Sequence, residues 1–299
     1  MLEWAYADRT FYKGKKEFRN ISALMLMHGI LPYVCLAVFS FLMRFLPLSF
    51  YGRYQITILL AYLIPMFLTA FMAGIGAVWL RPSFDGLSKK VKGMGKYLIF
   101  LLGLNFFCSI TYSLIHAILG MIHGSVGSGI QTFFTGNILF DGLIILYIVL
   151  LGPLFEEILF RGVILRTLDR YHRVFAILVS SMLFAMMHLN LQQGITSFFI
   201  GCFLGYVSLK ENSMRIPILL HILNNLVALL MSVPILSILC LLGMFACFVG
   251  MVYLLYKYGN RISELFKQEY CTYRYGKMFF TRWTTILYII FFVGVVVFL

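Results

Sequence analysis

The sequence predicts an all-α, polytopic transmembrane helical bundle of about eight to nine spans, and three observations carry that reading. The 299 residues are 62% hydrophobic and only 12% charged, too apolar for a soluble chain of this length. Apolar runs long enough to cross a hydrocarbon core of about 30 Å recur along the whole chain. No stretch shows the alternating polarity of a membrane β-barrel, and thirty Phe, eighteen Tyr and sixteen Met suit helices packed in lipid. A formal charge of +13 on a soluble protein would point to nucleic acid. Here it sits in short basic clusters between apolar runs, so its role is topological and no nucleic-acid partner is expected.

The runs lie near residues 22–45, 54–80, 97–122, 137–168, 174–190, 194–209, 216–232, 235–256 and 283–299. The first is expected to stay as an anchor, because the polar, basic residues before it and the lack of a small-residue cleavage site after it do not make a signal peptide. Between the runs, basic residues number five in 1–20, two in 44–53, five in 81–96, none in 123–135, three in 166–173, none in 190–193, two in 210–215 and six in 257–282. Counts that alternate at every crossing place the N-terminus in the cytoplasm by the positive-inside rule. The stretch Lys89, Lys90, Lys92 and Lys96 serves this topology first and contact with anionic lipid second.

The fourth run is too long for one straight span, since its 32 residues would reach about 48 Å as a helix. Pro153, after Gly152, predicts a kink or a division there. In the sixth run Gly201 and Gly205 have GxxxG spacing, which predicts a close helix crossing within the bundle. Asn190, Gln192 and Gln193 read as a short polar outer turn. The segment from Tyr258 to Arg282, with Glu264, Lys267 and Glu269, reads as a cytoplasmic connector or interfacial helix. The cysteines Cys35, Cys108, Cys202, Cys240, Cys247 and Cys271 lack CxxC pairing and are expected to be buried small hydrophobes. The C-terminal GVVVFL carries no prenylation motif. The chain divides into an N-terminal transmembrane region at 1–136, a core at 137–232 and a C-terminal transmembrane region at 233–299.

Ionisable groups inside a span are costly enough to be functional candidates by default. They cluster after Pro153. Glu156 and Glu157 point about 100° apart on a helix, whereas Glu157 and Arg161 are four apart and share a face, so Glu157 is expected to pair with Arg161 and leave Glu156 free. Phe184 and His188 share a face of the next helix, and His221 and Asn225 share one of a later helix. At 1.5 Å per residue, Glu156, His188, His221 and Asn225 lie about 12 to 26 Å above the same membrane face, within reach of one cavity. Such a set could cleave an amide bond in two ways. Glu156 and His188 could polarise a water while His221 and Asn225 donate to the oxyanion, without a cofactor. Alternatively, Glu156, His188 and His221 could hold zinc with an open position for water. His28, His116, His123 and His172 have no partner at useful spacing and read as packed or interfacial. Asp141 lies outside these patterns, with pairing, outer-surface and water-path readings all open.

These residues resemble a family. Glu156-Glu157-Ile158-Leu159-Phe160-Arg161 is similar to the EExxxR motif of the CPBP membrane proteins, the CAAX protease and bacteriocin-processing family, also called Abi. Phe184 to His188 matches its FxxxH motif and His221 to Asn225 its HxxxN motif, in the expected order, over about residues 137–232. The resemblance implies an intramembrane endopeptidase acting on a membrane-associated, prenylated or hydrophobic peptide. It makes Glu156 the catalytic glutamate, Glu157 and Arg161 its structural partners, His188 the second water-activating group, and His221 with Asn225 the oxyanion stabilisers. The metal-free form is favoured, because an HxxxN pair suits hydrogen-bond donation and no HExxH helix exists here. A non-proteolytic membrane regulator or bacteriocin self-immunity protein is the alternative from another class. A transporter is a third, opposed by the lack of a repeated half. The expected location is a bacterial plasma membrane, with the lipid bilayer and a hydrophobic or lipidated peptide as partners.

Overall fold

The computed structural model describes the backbone of residues 2–84, 93–123, 135–265 and 269–298, with side chains over 13–84, 93–118, 135–259 and 273–297. Lys89, Lys90, Lys92 and Lys267, and the side chains of His123, Glu264, Glu269 and Cys271, lie outside the described residues. Ten helices and no strand occur among those described: α1 (Leu2–Leu42), α2 (Phe50–Leu80), α3 (Met94–His123), α4 (Ile138–Asp169), α5 (Arg173–Met187), α6 (Leu191–Glu211), α7 (Arg215–Leu230), α8 (Pro234–Leu265), α9 (Glu269–Phe280) and α10 (Trp283–Phe298). Each of the nine apolar runs falls on one of them. By length and composition α1, α2, α3, α4 and α8 can cross a membrane, α5 and α7 are shorter apolar helices, and the end of α9 meets α10 at a 74° bend. The chain is an integral membrane protein. Its polar connector contains the helix α9, in keeping with the interfacial-helix reading.

Local chemistry ends the helices where the sequence changes character. Ser49 Oγ accepts from Gly52 N at 3.0 Å to start α2, and Asn190 Oδ1 accepts from Gln193 N at 3.0 Å to start α6. The polar turn after His188 is therefore a helix cap. At the head of α4, Asn137 Oδ1 accepts from Leu139 N and Phe140 N. There Asp141 accepts from Thr135 N and Oγ1 at 2.6 and 2.8 Å, which assigns it to the folding of this turn.

At Pro153 the fourth run is neither cut nor sharply broken. α4 runs through, with π-helical turns at Tyr147–Leu151 and Ile158–Leu165 flanking an α-helical Gly152–Glu157. A π turn takes up one extra residue per turn, so it absorbs the missing proline donor without breaking the helix.

The main core joins α1, α2, α4, α5 and α10 through Phe18, Met25, Met72, Phe160, Val163, Phe175 and Tyr288, all essentially inaccessible. A second core joins α3, α6 and α7 through Leu101, Leu204 and Leu220. Small residues set how near the helices come. A Cβ on Gly76 would lie 2.8 Å from Val163, and one on Gly103 would lie 2.6 Å from the Cys247 carbonyl oxygen. Of the GxxxG pair, Gly201 is the tight one, 3.1 Å from Ser181 Cβ, while Gly205 has ordinary clearance. The crossing is within the bundle, against α5.

The basic clusters gather at one end. Arg170 donates to Glu17 Oε1 at 3.2 Å, to the Leu80 carbonyl at 3.1 Å and to the Arg81 carbonyl, closing the α2 C-terminus, where Arg81 has a left-handed φ of 46°. Tyr171 donates to Glu17 Oε2 at 2.8 Å, and Arg166 to Asn212 at 3.0 Å. Burial, then the hydrogen bond to Glu17, push the Tyr171 phenol well above the usual tyrosine range. At the other end, Tyr51 and Gln55 donate to the Thr135 carbonyl. Residues 17, 80–81, 166–171 and 212 thus share one face of the bundle, as the alternation of charge requires.

Candidate active site

Four apart on α4, Glu157 and Arg161 are 0% and 1% exposed, and Arg161 Nη1 donates to Glu157 Oε1 at 2.8 Å. The rest of the guanidinium is also used. Nη2 donates to the Gly201 carbonyl at 3.3 Å, and the guanidinium carbon lies 4.4 Å from the Phe184 ring centre, so the motif phenylalanine forms the roof of a buried cation. Gly201 lets α6 come close enough for that carbonyl to reach.

His221, on α7, shares the same carboxylate oxygen. Its Nδ1 donates to Glu157 Oε1 at 2.9 Å, which directs Nε2 to Glu156 Oε2 at 3.7 Å. Glu157 therefore does two jobs, neutralising Arg161 and orienting the ring of His221. Its second oxygen is buried with no hydrogen-bond partner among the described residues, so Oε1 carries both interactions. Glu156 is left facing a cavity of about 840 Å³ that His188, His221 and Asn225 also line. The division of labour between the two glutamates follows the helical geometry expected of them.

His188 sits at the C-terminal end of α5, where Nδ1 donates to the Phe184 carbonyl at 2.9 Å and leaves Nε2 as the basic nitrogen of the ring. Leu189 then takes a left-handed φ of 51°, unusual for a branched side chain, to turn the chain into α6 directly beside the histidine.

Asn225 has a role that spacing alone did not show. Gly152 N donates to the Tyr147 carbonyl in the π turn, so the Ile148 carbonyl would need the amide of residue 153, and Pro153 has none. Asn225 Nδ2 donates to Ile148 O at 2.9 Å in its place. One amide hydrogen is spent on the backbone of α4, and the second remains.

Sequence reasoning missed part of the wall. His28 lines the cavity, with Nε2 2.9 Å from Thr69 Oγ1; because that hydroxyl donates to the Pro65 carbonyl, His28 Nε2 is the donor to it. Asn105 donates to Asn224 Oδ1 at 2.7 Å, bringing α3 to the site. His28 is an ionisable group inside a span and was visible by that rule, but its partner lies 41 residues away on another helix. His172 caps α5 by accepting from Phe175 N, and His116 packs near Tyr112. The described cysteines, Cys35, Cys108, Cys202, Cys240 and Cys247, are free thiols; Cys108 is buried and the other four are partly exposed, so full burial holds for one of them.

Glu156, His188 and His221 are the donors that a zinc ion would need. Nδ1 hydrogen bonds to a carbonyl and a carboxylate are the kind of contact that orients histidine ligands. Among the described residues, however, no three His, Cys, Asp or Glu side chains are placed to share one ion, Glu156, His188 and His221 included.

Residues 137–227 match a family model described as type II CAAX prenyl endopeptidase Rce1-like. No curated protein and no solved structure matches the chain. The matched segment begins at the cap of α4 and ends two residues past Asn225, so it contains all six residues of the site.

Proposed function

We propose that this chain, a member of the CPBP/CAAX intramembrane protease family through residues 137–227, hydrolyses a peptide bond in a hydrophobic or lipid-modified substrate by water activated between Glu156 and His188. One observation carries the reading. Arg161 and His221 are both tied to Glu157 Oε1, which leaves Glu156 on the cavity wall as the carboxylate without a structural duty.

The water gives a proton to Glu156 as its oxygen attacks the carbonyl carbon, with His188 Nε2 accepting the second hydrogen bond of that water. Charge develops on the carbonyl oxygen. His221, held by Glu157 at Nδ1, presents Nε2–H to it, and the remaining Asn225 amide hydrogen is the second donor. The proton on Glu156 then passes to the leaving nitrogen as the C–N bond breaks. Arg161 and Glu157 offset one another's charge, which limits the cost of burying the pair. Apolar lining from Leu36, Leu60, Ile64, Met187 and Ile200 suits a hydrophobic substrate. Basic residues gathered at one end of the bundle support a cytoplasmic position for that end.

The test is cleavage of a quenched-fluorescent prenylated or hydrophobic peptide by purified protein in detergent, for wild type, Glu156→Gln and His188→Ala, with and without a strong chelator. Loss of about a hundredfold or more in each variant, with no chelator effect, supports the mechanism. Chelator sensitivity would replace it with the zinc form. Equal inactivity of all three on a broad panel, with Glu156→Gln restoring the phenotype of a deletion strain, would make the chain a binding module.

A further inference from the structure

A second cavity of about 680 Å³ lies between α3, α5, α6 and α8, at the end of the bundle that carries the basic clusters. Its walls and its mouth differ in chemistry. Phe100, Ile177, Phe203 and Leu254 line an apolar shaft, with Phe100 and Phe203 stacked 4.6 Å apart as a rigid side. At the mouth stand Lys96, Arg173 and Lys210, each at the end of its helix: the third residue of α3, the first of α5 and the last but one of α6. None of the described residues lining it is acidic.

The cations are held at the rim with donors left open. Lys96 Nζ lies 4.9 Å from the Tyr97 ring centre and Lys210 Nζ 5.3 Å from that of Tyr206, contacts that position an ammonium group while leaving its donors open. Arg173 meets Asp169 through Nε alone, at 3.4 Å, and its side chain is 55% exposed, so both terminal nitrogens are available. Glu211 nearby is engaged by the Tyr97 hydroxyl. Alongside the shaft α3 and α8 pack closely: Cβ atoms on Gly103 and Gly250 would lie 2.6 Å from Cys247 O and 2.7 Å from Ile99.

We propose that this cavity is a binding site for one anionic glycerophospholipid, its acyl chain in the shaft and its phosphate between Lys96, Arg173 and Lys210. A basic mouth at helix ends over an apolar shaft is complementary to that molecule in charge and polarity. A zwitterionic lipid of the same chain length fits the shaft and lacks the net charge, so the site selects by headgroup. The active-site cavity shares almost no wall with it, and the inference stands whether or not the chain is a protease.

The test is native mass spectrometry and thermal melting of the full-length, delipidated protein in detergent, titrated with phosphatidylglycerol or phosphatidylcholine of identical chains. Phosphatidylglycerol should bind and raise the melting temperature, and phosphatidylcholine should bind much more weakly. At roughly fivefold per basic residue, Lys96→Gln/Arg173→Gln/Lys210→Gln should weaken phosphatidylglycerol binding by about a hundredfold. Leu254→Trp, which fills the shaft and keeps every charge, should abolish it, and inorganic phosphate should not compete. Equal binding of the two lipids, retention of binding in either variant, or competition by phosphate alone would each overturn the proposal. Should the triple variant fail to fold, Lys96→Gln/Lys210→Gln with Leu254→Trp decides it.

Discussion

Arg161 is a full positive charge at 1% exposure inside an apolar bundle, and Glu157 is the only acidic side chain in contact with it among the described residues. Replacing Arg161 by Met keeps the length and apolar stem of the side chain and removes three interactions: the 2.8 Å ion pair, the 3.3 Å bond to Gly201 O and the cation over Phe184. It leaves Glu157 as a buried, uncompensated carboxylate. Breaking a buried pair from one side costs about 3–5 kcal/mol, which for a chain of this size lowers the melting temperature by on the order of 10 °C. Glu157→Gln should cost a similar amount, because it strands the guanidinium instead.

The double variant Arg161→Met/Glu157→Gln strands no charge. It should recover most of the loss, within about 1–2 kcal/mol of wild type, since a buried pair adds little net stability over an apolar replacement. Peptidase activity should not recover, because a glutamine beneath His221 Nδ1 does not supply the carboxylate that orients the ring. The melting temperatures of wild type, both single variants and the double in one detergent measure the first effect, and peptide cleavage measures the second. If the double variant melts no higher than the worse single variant, the account of Glu157 as a shared counter-charge is wrong.

Asn225→Ala should cost about 1–3 kcal/mol by orphaning the Ile148 carbonyl, and adding Pro153→Ala, which restores an amide donor, should recover the melting temperature without recovering cleavage. Gly103→Ala should destabilise by about 1–3 kcal/mol, because its methyl group would meet the Cys247 carbonyl at 2.6 Å, whereas Gly74→Ala on α2 meets open space and should be neutral or slightly stabilising; equal melting shifts would refute the packing argument. The raised Tyr171 phenol means that the folded state holds its proton more tightly than the unfolded chain. Its contribution is complete below the ordinary tyrosine range and is lost as the pH rises through and beyond it, so the stability gap between wild type and Tyr171→Phe should narrow between about pH 9 and 11.

What the sequence determined by itself is what depends on separations of about four residues or fewer. Hydropathy marked all nine runs because each had to be apolar over its own length, whatever its neighbours. The pairing of Glu157 with Arg161 was legible because helical pitch puts residues four apart on one face. Asn190 and Asn137 cap helices for the same local reason. The tertiary structure decided everything that depends on how far one helix is turned or slid against another. His221 reaches Glu157 across 64 residues, Asn225 reaches Ile148 across 77 and His28 reaches Thr69 across 41. No periodicity encodes those contacts. They follow from close approaches at Gly76, Gly103 and Gly201, where a missing Cβ sets the depth and rotation of each helix, and with them which polar atoms meet.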